Sequence, residues 1–193
     1  EDVYVNIVMD VGNTGLDGAL CTVGADCGPP FMTAAAHRHL KDMYSEGETV
    51  TSPGIFKAVM AAILENPQFS GFHFSLLIAN HSKNESTATS GKRGGGVILR
   101  GYRKLKNHRE DFITTLKSIP ALLSEKTHEF QPKEIYLEWL RYLSGGEVAL
   151  GTNTSGNFGL IDPVPNYDEG IIAGENYRPA FSGHAGCSRL YSI

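Results

Sequence analysis

The sequence predicts an α/β protein built on a doubly wound sheet with helices on both faces. Three observations point there: an opening apolar run suited to burial on both sides, a long amphipathic helix bounded by prolines, and an order of strand-like and helix-like segments that fits crossover connections. With 193 residues, 41% hydrophobic and 20% charged, the chain is long enough for one core, and residues 1–193 read as a single domain.

Val3, Val5 and Ile7 alternate with Tyr4, Asn6 and Val8. Because Tyr4 and Val8 are also apolar, the segment reads as a central parallel strand that ends at Asp10. Residues 11–50 are rich in Gly, Ala and Thr, and "TAAAHRHLKDMYSEG" within them offers a short helix without a clean start or stop. "TSPGIFKAVMAAILENPQ" is the clearest helix. Ser52 is placed to cap it, Pro53 suits its first position, and Ile55, Phe56, Val59, Met60, Ile63 and Leu64 form an apolar stripe before Pro67 ends it.

"GFHFSLLIAN" predicts a second strand with Phe72, Phe74, Leu76 and Ile78 on one face. A polar stretch leads to a third, less buried strand in "GVILRGYRKL". Two helices follow: "HREDFITTLKSI", with Phe112, Ile113, Leu116 and Ile119 inward, and "QPKEIYLEWLRYL", with Pro132 in its first turn and Ile135, Trp139, Leu140 and Leu143 inward. Residues 144–186 read as irregular, and "SRLYSI" as a fourth strand. In such a sheet ligands sit beyond the carboxyl ends of the strands, which is where Asp10 falls.

The net charge is -4 and the basic residues form no long run, so neither a nucleic acid nor an anionic membrane surface is an expected partner. No apolar stretch reaches membrane-spanning length, and the N-terminus lacks the pattern of a signal peptide, so export would imply a leader already removed. Of the three cysteines, Cys21 and Cys27 can close a small local disulfide in an oxidising compartment, although spacing does not fix connectivity; Cys187 is then left over.

"MDVGNT", "ILENPQFSGFHFSLLIAN", "GGGVILRGY", "QPKEIYLEWLRYLSGG" and "GCSRLYSI" occur in that order. Together they resemble the first half of a von Willebrand factor A domain, and in detail the A domains of the PilY/PilC family of type IV pilus-tip adhesins. That family shows a strand ending in D-x-S-x-S, a helix ending in N-P, a strand, a "GG" hairpin-like approach to the next strand, a T-P-containing helix ending in Y-x-x-G, and a cysteine before the fourth strand. The resemblance covers residues 3–146 and 186–193. It implies a non-enzymatic adhesin module outside the cell, at a pilus tip or bacterial surface, with a host or abiotic surface as its target and minor pilins as assembly partners. It also implies a larger parent protein with a C-terminal propeller. An A domain continues after its fourth strand, so the chain reads as truncated there, unless residues 147–193 fill that edge of the sheet.

In A domains with a metal-ion-dependent adhesion site, D-x-S-x-S, a later threonine and a later aspartate hold Mg²⁺, leaving a place for a partner's carboxylate. The resemblance assigns Asp10 and Thr14 to that site. Gly12 stands in place of the first hydroxyl, Gln131 in place of the threonine before proline, and the later aspartate falls beyond Ile193. So few oxygen donors imply a degenerate site holding Mg²⁺ or Ca²⁺ weakly, and no other cofactor. The local reading of Asp10 is a turn residue bonded to its own backbone.

Other signals have plain readings. His37 and His39, with His73 and His81 elsewhere, lack neighbouring ligands at zinc spacing and read as surface histidines. Asp162, Asp168 and Glu169 lack the spacing of a calcium loop and read as solvated. "GKRGGG" precedes a strand and lacks phosphate-loop spacing, and Asn80, Asn84 and Asn153 start N-x-S/T patterns that matter only in a glycosylating host. No nucleophile elbow is present. Residues 15–50, 80–96 and 144–186 are the expected contact loops. Two further readings stay open: a functional Mg²⁺-dependent A domain of another secreted or surface protein, and an α/β enzyme, which a pocket of convergent perturbed side chains beyond the first strand would favour.

Overall fold

The computed structural model describes residues 2–9, 20–80, 95–119, 132–148, 168–181 and 189–193. In chain order its elements are β1 (Val3–Met9), β2 (Cys21–Thr22), α1 (Ala34–Met43), β3 (Thr49–Val50), α2 (Ser52–Glu65), β4 (His73–Asn80), β5 (Gly95–Lys104), α3 (Leu105–Ser118), α4 (Pro132–Ser144), β6 (Ile172–Ala173), β7 (Asn176–Tyr177) and β8 (Arg189–Ser192). The result is a mixed α/β fold with a mostly parallel central sheet and four α-helices among the described residues, compatible with a Rossmann-like arrangement.

The sheet has the order β5-β4-β1-β8. β1 is parallel to both neighbours, with Ile7 opposite Leu76 on one side and Tyr4 opposite Leu190 on the other. β5 runs antiparallel to β4, with Leu77 opposite Ile98, and register shifts fall on either side of Leu76. The strand order therefore reverses at β1: the next strand of the sheet lies to one side and the last to the other. Such a reversal opens a crevice at the carboxyl ends of the strands.

Each face of the sheet carries its own core. Val5, Ile7, Met9, Phe74, Leu76, Ile78, Val97 and Leu99 pack against Met60, Ala61 and Leu64 of α2 and Phe112, Ile113 and Leu116 of α3. On the other face Tyr4, Leu77, Ile98 and Tyr102 meet Ile135 and Tyr142 of α4, with Ile171 and Tyr177 sealing the far side. A third cluster lies outside the sheet, where Ala36 and Leu40 of α1 meet Ala58 of α2 and the buried Cys21 and Cys27. Those cysteines form a disulfide that ties the loop after β2.

Several expected details differ. Helix α2 begins one residue early, with Thr51 at the cap position and no side-chain cap bond, so Ser52 is already helical. Its buried face holds Gly54, Lys57, Ala58, Met60, Ala61 and Leu64, while Val59 is exposed. The reason is that α2 is sandwiched between α1 and α3 as well as lying on the sheet, so small residues turn toward its helical neighbours. A side chain at Gly54 would strike the Tyr44 hydroxyl and Val50 at 2.6 Å. Helix α3 starts at Leu105, ahead of the expected stretch, and kinks where His108 leaves helical geometry.

On α4 the buried positions are Ile135, Glu138 and Tyr142, with Trp139 packed beside them, while Leu140 is 55% exposed. Positions 135, 138, 139 and 142 follow helical spacing, and Leu140 falls off that stripe. β5 is well buried from Val97 to Leu99 and again at Tyr102, more so than expected for an edge, because α3 and α4 cover its two faces. Residues expected as contact loops are partly ordered: α1 and the β2–β3 pair occupy much of 20–50, and the β6–β7 pair lies within 168–181.

Candidate functional site

The carboxyl edge of the sheet is built by chain direction. α2 ends at Glu65 and the chain passes through the short turn Pro67–Phe69 into β4, so the first half of α2 lies toward the carboxyl ends of β1 and β4. α3 runs the other way. The Leu105 N–H donates to the Phe72 carbonyl (2.8 Å) at the amino end of β4, and the helix then returns to the carboxyl edge at Ile119.

A cavity of about 570 Å³ opens there, lined by Asp42 and Met43 at the end of α1, Tyr44 just after it, Lys57 of α2, Thr114, Lys117 and Ser118 of α3, and Ile119 just beyond. It is an open groove more than an enclosed chamber, with a volume in the range that small ligands occupy. Lys57 and Ile119 are buried, whereas Asp42, Thr114 and Ser118 are exposed, so the lysine is part of the floor and the hydroxyls belong to the rim. Lys57 Nζ donates to the Ile119 carbonyl at 2.9 Å and lies 5.6 Å from the centre of the Tyr44 ring. Burial lowers its pKa from the ordinary lysine value. Burial also raises that of the Tyr44 hydroxyl, with the Glu48 carboxylate acting in the same direction. Across the rim, Lys117 Nζ holds Asp42 Oδ2 at 3.0 Å.

A second polar assembly lies under α4. Ser75 Oγ donates to Asn6 Oδ1 at 2.6 Å and is hydrogen-bonded to the Tyr102 hydroxyl, which accepts from Trp139 Nε1 at 3.2 Å. Tyr142 OH accepts from the Tyr102 N–H at 2.9 Å, and Tyr177 OH donates to the buried Glu138 Oε1 at 2.5 Å. Desolvation pushes the Tyr142 pKa up to about 12. That of Tyr177 is raised further, by burial first and by the Glu138 carboxylate beside it. The hydroxyls of Tyr102, Tyr142 and Tyr177 stay protonated at neutral pH, and none of these three side chains lines the cavity beside Lys57, so the assembly joins sheet to helix.

The sequence-derived candidates fare differently. Asp10 and Thr14 lie outside the described residues, as do Gly12, His81, Asn84, Gln131, Asn153, Asp162 and Cys187. Asp10 directly follows Met9, whose strand stands at the reversal of the sheet order. His39 is a correction: it is 3% exposed, with Nε2 3.1 Å from Glu65 Oε2, an oxygen that Arg38 also contacts. The fold buries it because α1 and α2 pack side by side. Asp168 is likewise no solvated loop residue: its Oδ2 accepts from the Gly101 N–H and from Arg103, both at 3.1 Å, and its Oδ1 from the Gly170 N–H.

Among the described residues the grouped metal-ligating side chains are Cys21, Asp26 and Cys27, and the disulfide consumes both thiols. No described helix is long and apolar enough to cross a membrane.

Sequence reasoning missed Lys57 and Glu138, and a signal was available for both. Lys57, Met60, Ala61 and Leu64 share one helical face, as do Ile135, Glu138, Trp139 and Tyr142. A charged residue inside an apolar stripe marks a buried polar group with a specific partner. Compared with known proteins, the chain matches no family model, no curated protein and no solved structure.

Proposed function

We propose that the chain is a non-enzymatic recognition module, a von Willebrand A-like adhesin domain of the kind found at type IV pilus tips. It acts outside the cell, binds a host or abiotic surface, and works beside minor pilins in a larger protein. The observation that carries this reading is the reversal of strand order at β1, with the hairpin-like antiparallel β5 on the outer side of β4. The order of motifs agrees with it. α2 runs out at Asn66–Pro67 immediately before β4, β5 begins at Gly95, and α4 spans Pro132 to Ser144 and closes on Gly145, whose φ is +73°.

In this reading Asp10 and Thr14 form a degenerate cation site at the end of β1, and recognition rests on the surface loops. The test is calorimetry with Mg²⁺, Mn²⁺ and Ca²⁺ on the chain and on Asp10→Ala, alongside retention of chain-coated beads on epithelial cells and on glass. Bead retention that persists in EDTA and in the variant supports the degenerate adhesin. Retention that requires Mg²⁺ and Asp10 supports the metal-dependent A domain instead. Beads that bind neither surface would overturn adhesion.

The Lys57 cavity favours a second reading, an α/β enzyme, because a desolvated amine at the carboxyl edge of a parallel sheet is a candidate nucleophile or base. A rapid, stoichiometric and Lys57-selective reaction with an amine-directed acylating reagent would support it; labelling spread over surface lysines would count against it.

A further inference from the structure

Lys57 is the only buried lysine or arginine among the described residues. It has no carboxylate within ion-pair distance there: its acceptor is the Ile119 carbonyl and its other neighbour is the face of Tyr44. An ammonium has three donors. Two remain for a ligand, on a group that already lines a cavity.

We propose that the cavity between α1, α2 and α3 binds a small carboxylic acid with an apolar body, the carboxylate being received by the Lys57 ammonium. A buried cation that meets one carbonyl and one ring has lost much of its hydration, and a charge-assisted bond to an anion restores it. The walls suit the rest of such a ligand, since Met43, the Tyr44 ring and Ile119 are apolar while Thr114 and Ser118 stand at the rim. Charge favours the same sign. The lining holds two cations, Lys57 and Lys117, and one carboxylate, Asp42, which Lys117 already holds at 3.0 Å, weakening its repulsion of an incoming anion. Tyr44, the remaining titratable wall, stays neutral at physiological pH. None of the lining residues is a proposed cation ligand, and the inference holds whether or not the chain is an adhesin.

The experiment is a titration of the chain with sodium hexanoate, followed by amide NMR at Thr114, Ser118 and Ile119. Hexanamide, equal in shape but uncharged, is the control. Saturable shifts at these three amides are expected with hexanoate, and binding about tenfold or more weaker with hexanamide and with Lys57→Met. Wild-type affinity for hexanoate, followed at the Met43 and Ile119 methyl signals, should also fall as the pH is raised from neutral to 10 and Lys57 loses its proton, a readout that needs no variant. Absence of saturable shifts, equal binding of acid and amide, or an affinity indifferent to pH would each overturn the proposal.

Discussion

The two faces of the sheet solve the same packing problem with different chemistry. Toward α2 and α3 the contact is almost wholly aliphatic and phenyl, from Ile7, Leu76 and Leu99 to Phe112 and Leu116. Toward α4 it is aromatic and hydrogen-bonded: Tyr4 stands edge-on to Tyr102, Tyr102 stacks on Tyr142, and hydroxyls link Ser75 to Tyr102 and Tyr177 to Glu138. Apolar burial is non-directional and accepts many arrangements of equal volume. A buried hydrogen-bond network accepts one, since an unmatched donor or acceptor costs more than a matched pair contributes. The first face therefore supplies most of the stability, and the second fixes the angle and register of α4 against β5.

Gly101 shows how closely the second face is fitted. A Cβ there would lie 2.4 Å from Ile171 and 2.7 Å from the Tyr142 hydroxyl. The bare backbone instead lets Asp168 reach the Gly101 N–H, so one carboxylate ties β5 to the segment before β6.

The largest effect should come from the apolar face. Phe112→Ala, at a position 1% exposed, is expected to cost about 3–5 kcal/mol in urea unfolding; a loss below about 1 kcal/mol would mean that this face is not the principal core.

Next comes the network. Tyr177→Phe removes the donor to Glu138 Oε1 while keeping nearly all of its volume. A cost of about 1–3 kcal/mol is expected, with perturbed aromatic resonances for Tyr142 and Trp139. A neutral outcome would dissolve the contrast between the faces.

The third effect is pH-dependent. In the unfolded chain tyrosines ionise near pH 10, whereas Tyr142 holds its proton up to about 12 and Tyr177 is raised beyond that. The folded state thus binds more protons above pH 10. The stability contributed by each hydroxyl is complete below pH 10 and is lost upward from there, through pH 12 for Tyr142, at about 1.4 kcal/mol per pH unit. Lys57 works in the opposite direction at lower pH, because burial lowers its folded-state pKa: the cost of its charge is relieved as pH rises toward the ordinary lysine value. Unfolding midpoints followed from pH 8 to 12 should therefore fall more steeply above pH 10 in the wild type than in Tyr142→Phe. Equal slopes would place Tyr142 in contact with water.

Much of the fold was legible in the residues themselves. The inward faces of β4 and α3 follow from period two at Phe74, Leu76 and Ile78 and from helical spacing at Phe112, Ile113 and Leu116, because these patterns express contacts that each element makes as a unit. The candidate cation site was legible only as a pattern, since Asp10 and Thr14 lie outside the described residues. The cavity was not legible at all, because its lining comes from three separate elements.

The sequence alone determined the order of the principal strands and helices, the apolar face of most of them, and the position of Asp10 just past β1. Local periodicity and proline boundaries are short-range properties, and they carry that information. Tertiary structure alone decided that β8 lies beside β1, which partners Lys57 and Glu138 meet, and that Asp168 is a tie between segments. Each of these depends on a partner far along the chain: Lys57 on Ile119, 62 residues away, Glu138 on Tyr177, 39 away, and Asp168 on Gly101, 67 away. A polar side chain in an apolar stripe is stable only when such a partner arrives, and no local pattern says which one will.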